Sequence, residues 1–509
     1  MLKIHSLPES VEKSKLFEVS VNGIFVVPEF ARVSAMPFNR GWPGHQRELS
    51  QTEESAFISF ESDEKITLDI TSDQKIETAV IRPLSKNIEV HISDNTVHFE
   101  LTEFGSYVLE INGMHSPLTI FFNPVRDFKA ESEKDAESGR KVFYYGKGVH
   151  NIGNLEIESD TTVTIDAGAI VYGNISAFSA ENIKINGYGV LDGSCEIRTT
   201  DTRLLPVMRK IDPEYPFFEN DKEKFDAFLK ATSCLKGLLR FYFSKNVICE
   251  GVILRDSSTF CVVPAACDNV VIDNIKLIGM GRYNCDGIDI FNSSDIIIKN
   301  SFLRNFDDAM VIKGIAGWDF RNNENITVDN CVIWCDWGGS CEIGAETNAE
   351  EFKNILFKNC NLIHNTFGGM MRIQHYNRAK IHNITYENMH CEFCKEQMNP
   401  AFQKDDCDVY IYEEGTYQPR LIDLIVMEPI LLGRDDIKGQ IFDINFKDIH
   451  LYIEEGVTPM PEIRLSGLDE NCSVTNIKLQ NFYINGKRVG NIEELNPVIT
   501  DFADKIKYE

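Results

Sequence analysis

The sequence predicts an all-β chain: a small N-terminal β-sandwich-like domain, then a right-handed single-stranded parallel β-helix. Two observations carry that expectation: short alternating strands early in the chain, and a six-residue phrase that recurs through most of the rest. A third narrows the field, since no run of 18 apolar residues exists to form a membrane-spanning helix.

Residues 15–123 read as short strands bounded by turn residues. Val97, Phe99 and Leu101 alternate with polar neighbours, and after Gly105 so do Tyr107, Leu109 and Ile111. Asp94-Asn95 and Asn112-Gly113 supply turns. This rhythm suits a sandwich within residues 1–125. Its simplest role is to cap the open coil edge of the helix, which would otherwise invite pairing. Residues 126–141, RDFKAESEKDAESGRK, are charged and almost free of large apolar side chains, and are expected to be a linker or an exposed loop.

Beyond the linker the phrase Asn-(Ile/Val)-x-(Ile/Val/Phe)-x-(Asn/Gly/Asp), with small variations, begins at 182, 246, 269, 295, 325, 354, 383, 443 and 476. Its central intervals are 23–30 residues, a period that means stacked repeats. β-Branched residues at alternate places make each repeat strands rather than helices. The fixed Leu offsets of leucine-rich repeats are absent, so a parallel β-helix over 142–490 remains, with 491–509 as a C-terminal tail. Coils stacked about 4.8 Å apart turn equivalent residues into ladders. Cys331 and Cys360, each six residues past its coil's Asn, should therefore stack inside the core. Two stretches break the rhythm: 206–238, which reads as partly helical, and 395–430, rich in Asp and Tyr. Long loops on a rigid scaffold often wall a binding groove.

Charge excludes several partners. Lys and Arg total 51 against 78 Asp and Glu, a net charge of −27, with no basic cluster. Such a surface repels phosphate backbones, so neither nucleic acid nor membrane is expected as a partner. The start, MLKIHSLPES, lacks a secretory pattern, so the fourteen cysteines are expected to be reduced thiols of a cytoplasmic protein. Cys391 and Cys394 form a lone CxxC with no second pair to complete a zinc set. No metal and no cofactor is expected.

The chemistry concentrates in two blocks. Asn284-Cys285-Asp286-Gly287-Ile288-Asp289-Ile290 precedes Asn305-Phe306-Asp307-Asp308-Ala309-Met310-Val311-Ile312-Lys313, and Asp286 to Asp308 spans 22 residues, one coil. Superposing Ile288 and Ile290 on Met310 and Ile312 sets Asp286 beside Asp308 on one outer face, with Asp307 at the edge of the same strand. Three crowded carboxylates repel, so at least one should keep its proton at neutral pH. A protonated acid beside an ionised base is what glycosidic cleavage uses. A solvated acidic face and a calcium site are the other readings of this cluster.

At these residues the chain resembles glycoside hydrolase family 28, the polygalacturonases and rhamnogalacturonan hydrolases, over roughly 142–485. The likeness rests on YYGKGVH at 144–150, GAIVYGNI at 168–175, GYGVLDG at 187–193, NCDG at 284–287 and FDDAMVIKG at 306–314. A sandwich joined to such a helix is similar to glycoside hydrolase family 49, the dextranases. The resemblance implies an inverting hydrolase, with Asp307 as general acid and Asp286 and Asp308 holding and activating water. Coil spacing alone places carboxylates about 5 Å apart, near the retaining distance, whereas inversion usually uses about 6.5–9.5 Å.

Two positions depart from the family. Gly338-Gly339-Ser340 stands where the family has Gly-His-Gly, so Gly339 replaces the site His, which in the family supports the general acid. Arg372-Ile373-Gln374 stands for Arg-Ile-Lys, which removes the cation that would meet a uronate carboxylate. Strand alternation places Phe291, Lys313, Gly344 and Gln374 in one outward row and Asp289, Val311, Glu342 and Arg372 in the next. Lys313 could then return the lost charge, and Glu342 faces Arg372. Arg372, Lys313, Glu342 and Gln374 are thus the substrate-binding candidates, with Tyr283 and Trp337 as stacking platforms for a pyranose. Trp318, Trp334, Asp336, Glu346 and His375 lie close by in sequence. The expected activity is hydrolysis of an O-glycosidic bond in a pectin-type or related oligosaccharide. The alternatives are a dextranase-like hydrolase of a neutral α-glucan, a calcium-dependent lyase on the same scaffold, and a non-catalytic carbohydrate-binding β-helix.

Overall fold

A computed structural model describes residues 1–35, 52–196, 223, 237–282, 284–315, 318, 321–398, 401–403, 410–412, 418–428 and 438–509. Among these, residues before 124 form a 6-stranded and a 5-stranded sheet packed face to face. Alternation decides which residues meet between them: Val19, Val21, Leu68, Ile70, Val97, Phe99 and Leu101 from one sheet, Ile58, Phe60, Tyr107, Leu109, Ile120 and Phe122 from the other. The opposite face of the larger sheet is apolar as well. Its Phe57, Val108 and Phe121 pack on Ile253, Ile278, Phe302 and Trp334 of the helix. Both faces of Leu118–Asn123 are therefore buried, which explains its continuous apolar run. The sandwich lies along the flank of the helix, across several coils, and not on its open end as expected.

The charged stretch after the sandwich is not a loop. Residues Phe128–Glu137 form an α-helix, α1, whose N-cap Asp127 accepts the Ala130 N–H. Only its Phe128 and Ser132, one turn apart, are buried, and Ser132 bonds the Thr164 hydroxyl at 2.6 Å. So narrow a contact leaves almost no apolar signature in sequence.

From Lys141 to Tyr508 a sheet of 30 strands among the described residues builds the β-helix, its strands paired in parallel with their equivalents one coil away except the short Lys487–Arg488, which folds back antiparallel on Tyr483–Ile484. The repeated phrase has a conformational cause. Its opening residue sits at φ between +53° and +60° in all nine copies, a region that Asn and Asp tolerate best among residues with a Cβ. Their amides then bond from coil to coil: Asn269 to Asn246 at 2.8 Å, Asn354 to Asn325 at 3.0 Å, Asn383 to Asn354 at 2.6 Å. Cys331 and Cys360 are fully buried in the core between the strand columns.

Two further expectations change. The tail at 491–509 continues the helix, because Ile506 and Tyr508 pair with Ile477 and Leu479 and so keep the inward alternation. The excursion after 395 ends early, since Arg420–Val426 is already a coil strand paired with Met371–His375. The stretch 206–238 lies almost wholly outside the described residues. No described helix is long and apolar enough to cross a membrane.

Candidate active site

The site is built on one column of strands and the turns that enter it. Ile288 pairs with Met310 and Ile290 with Ile312, as the alternation requires, and these side chains fill the core. The residues between them form an outer ladder: Asp289, Val311, Glu342, Arg372, Asp423, Arg464. The companion row is interrupted. Phe291 pairs with Lys313 and Gly344 with Gln374, but the register shifts after Ile312 and Ile343, so the two pairs do not join.

The Asp307-Asp308 turn is fixed by its own backbone contacts. Asn305 Nδ2 donates to the main-chain oxygens of Asp307 at 2.5 Å and Asp308 at 2.9 Å. Gly338 packs directly on this turn: a Cβ there would lie 2.2 Å from the Asp308 nitrogen, so only glycine permits the approach. Asp307 Oδ1 accepts the Asp308 N–H at 3.0 Å, and Oδ2 accepts the Asn284 amide at 3.4 Å. Asp308 Oδ1 accepts the Gly339 N–H at 3.1 Å. The outcome is that Asp286, Asp307 and Asp308 each offer an oxygen within 4.8 Å of the others.

Lys313 stands among these carboxylates. Its Nζ lies 3.0 Å from Asp286, 3.1 Å from Asp308 and 3.6 Å from Asp289, with its side chain 8% exposed. Sequence reasoning offered it to the substrate. The structure engages it with the catalytic candidates instead, because its strand brings the ammonium back over the coil carrying Asp286. A hard cation using the same oxygens would have to displace that ammonium.

Burial and charge set the protons apart. Burial pushes the Asp286 carboxyl well above the usual carboxylate range, and Asp289 to about 8, in both cases against the attraction of Lys313. Asp308 is also buried, but Lys313, Arg372 and the bonds from Glu342 and the Gly339 N–H outweigh that and hold it below the usual range. The two neighbouring carboxyls are thus driven in opposite directions. Asp289, which the sequence placed in the outward row but gave no role, is fully buried against Lys313 and the Asp286 carboxyl. Its apolar-flanked place in Ile288-Asp289-Ile290 was the available signal.

The remaining candidates divide. Glu342 and Arg372 pair at 3.3 Å, and Arg372 also reaches Asp423 at 3.7 Å. Asp423 in turn takes a two-pronged contact from Arg464 at 2.6 and 2.7 Å. Gln374 donates to the Tyr376 hydroxyl and the Met427 sulfur. Tyr283 lies outside the described residues. Trp337 is partly exposed, stacked between Phe306 at 6.0 Å and Phe367 at 5.4 Å with rings within 13° of parallel. Phe306 and Phe367 were not singled out, although Trp337-Gly338-Gly339 and Phe367-Gly368-Gly369 repeat one coil apart. Trp318 and Trp334 are fully buried and offer no platform. His375 is buried on Thr347, and burial pushes it down to about 3. Asp336 is likewise buried and accepts the Trp334 indole N–H at 2.8 Å.

Both signature blocks fall within a single stretch of similarity. Residues 147–398 match glycosyl hydrolases family 28. A curated relative is a rhamnogalacturonase A of Aspergillus niger, 28% identical over 122 residues. That alignment covers 24% of this chain and 25% of the relative, so the chain spans about a quarter of its length. Solved structures share the fold. Dex49A from Penicillium minioluteum superposes over 100% of this chain and 96% of its own, with a TM-score of 0.63 and 14% identity. An exopolygalacturonase from Thermotoga maritima covers 75% of this chain and 87% of its own, with a TM-score of 0.50 and 17% identity. The family-28 match ends at 398, while the outer ladder of the site continues to Asp423 and Arg464.

Proposed function

We propose that the chain hydrolyses an O-glycosidic bond of a pectin-type or related oligosaccharide, inverting the anomeric centre. One observation carries the reading. Three carboxylates meet within 4.8 Å inside the family-28 stretch, and their surroundings drive Asp286 up and Asp308 down. In this account Asp308 is the ionised base and takes the proton of the attacking water. Asp286, protonated at rest, donates to the same water and holds it. Asp307 protonates the departing glycosidic oxygen. Trp337, partly exposed, gives the sugar an apolar face.

A second reading, a neutral sugar at the cleavage point, is favoured by one feature. Lys313 and Arg372 are both committed to buried carboxylates, and Gln374 carries no charge. These three side chains offer a uronate no free cation. The reading extends to place: the twelve described cysteines are free thiols, eleven of them buried, which supports work in the reducing cytoplasm.

The test is reducing-end release from galacturonides, rhamnogalacturonan fragments and neutral α-glucans, with wild type beside Asp307→Asn. Release by the wild type that the variant loses supports hydrolysis. Unsaturated products absorbing in the ultraviolet would indicate a lyase instead. A folded wild type silent on every substrate would refute the reading.

A further inference from the structure

Glu342, like Asp289, is a buried acid of the site that the proposed mechanism leaves without a task. Its side chain is 1% exposed, and it rises from the same strand as Gly339, three residues earlier. A Cβ built on Gly339 would fall 2.0 Å from Glu342 Oε2 and 3.1 Å from its Cβ, so the glycine opens the space that this carboxyl fills. Oε1 faces Arg372 at 3.3 Å. Oε2 is buried and meets no donor. The Glu342 carboxyl also meets Asp308, whose own oxygens already take the Gly339 N–H and the Lys313 ammonium.

Two ionised carboxylates in contact, with no donor between them, would repel. A single proton on Glu342 converts the contact into a hydrogen bond to an anion, the stronger kind. Arg372 can stay on Oε1 while this happens. Burial, the largest influence, holds the Glu342 carboxyl well above the usual range, and the contact with Asp308 acts in the same direction.

We propose that Glu342 is a positioning residue, whose protonated Oε2 donates a hydrogen bond to the Asp308 carboxylate in the space above Gly339. It thereby fixes the carboxylate that activates water, and it occupies the place left by the missing side chain at 339. The inference rests on the reading of Asp308 as the base.

The experiment compares wild type, Glu342→Gln, Glu342→Ala and Gly339→Ala on a substrate the wild type hydrolyses. Gln keeps an acceptor for Arg372 and a donor for Asp308. It should restore most of the rate that Glu342→Ala loses, a loss of about 10²-fold in kcat with KM within about threefold. Gly339→Ala, which pushes the carboxyl aside, should lose a similar amount. The double variant Gly339→Ala/Glu342→Ala should lose no more than the worse single one. Gln as damaging as Ala would overturn the proposal, since an ionised partner for Arg372 would then be what matters. So would an Ala variant with unchanged kcat. Because Ala at a buried site can unfold the coil, an infrared difference spectrum of wild type against Glu342→Gln at neutral pH gives a second reading. Loss of a neutral carboxyl stretch supports the proposal, and loss of a carboxylate band overturns it. The spectrum decides the matter even if the wild type hydrolyses nothing, an outcome that sinks the functional reading alone.

Discussion

Replacing Lys313 by Met removes the ammonium that touches Asp286, Asp289 and Asp308 while keeping a chain of similar length. The three contacts are 3.0, 3.6 and 3.1 Å. At an effective dielectric of ~20 the ionised Asp308 attracts by about 5 kcal/mol, the protonated Asp286 and Asp289 by less, and against this stands the cost of burying the ammonium. Breaking a buried ion pair on one side usually costs about 3–5 kcal/mol. Over 509 residues, at about 2.1 cal/mol/K per residue, that lowers Tm by ~3–5 °C. The chemical effect is larger. Asp308 loses the neighbour that does most to hold it below the usual range and keeps its proton, so the base is lost and kcat falls by about 10²–10⁴-fold. Protons can replace the missing cation, so the stability gap should close as pH falls. Thermal melts across pH and steady-state kinetics on one substrate measure both. A rise in KM on an acidic substrate, with kcat and Tm unchanged, would refute this reasoning and return Lys313 to substrate recognition.

Asp289→Asn tests the buried carboxyl. Its folded value of about 8 against an ordinary 3.8 means that the folded chain holds a proton the unfolded chain has released between those values. That stability is fully present below about pH 4 and lost as pH climbs through about 8, so the variant should match wild type at about pH 4 and melt higher at about pH 9. Equal melting at both would contradict it. Trp337→Ala removes the middle ring of the Phe306–Trp337–Phe367 stack and should raise KM about tenfold with a smaller change in kcat, which initial-rate kinetics would show. Proton NMR of the first-formed product should show the inverted anomer. A retained anomer would fit the 4.8 Å crowding of the three carboxylates better and would make one of them a nucleophile.

Much of the site was legible because a β-helix turns sequence period into spatial column. The Asn phrase located the coils, and aligning Ile288 with Met310 was enough to place Glu342 over Arg372 two coils later. What stayed hidden depends on side-chain reach. Lys313 is long enough to turn back to a neighbouring coil, and no row diagram records that. The register shift beyond Ile343, which separates Lys313 from Gly344, likewise leaves no mark in composition. Asp289 was placed in the outward row but given no role, because an acid at an outward strand position reads as solvated, whereas here Lys313 and the next coil enclose it. Helix α1 was missed for the opposite reason: two buried residues in ten give no pattern to read. The flank position of the sandwich needed both faces of one sheet to be recognised as apolar, and Phe57 and Phe121 look like ordinary strand residues until Phe302 is beside them.

The division of labour among the three carboxylates is most directly tested with aryl glycosides of the sugar that the wild type releases, differing only in leaving group. Asp286→Asn, Asp307→Asn and Asp308→Asn are compared on a good and a poor leaving group. The account predicts that Asp307→Asn keeps most of its rate on the good leaving group and loses it on the poor one, while Asp308→Asn loses both. Equal losses for Asp307→Asn on the two substrates, or the leaving-group dependence appearing in Asp286→Asn instead, would contradict it.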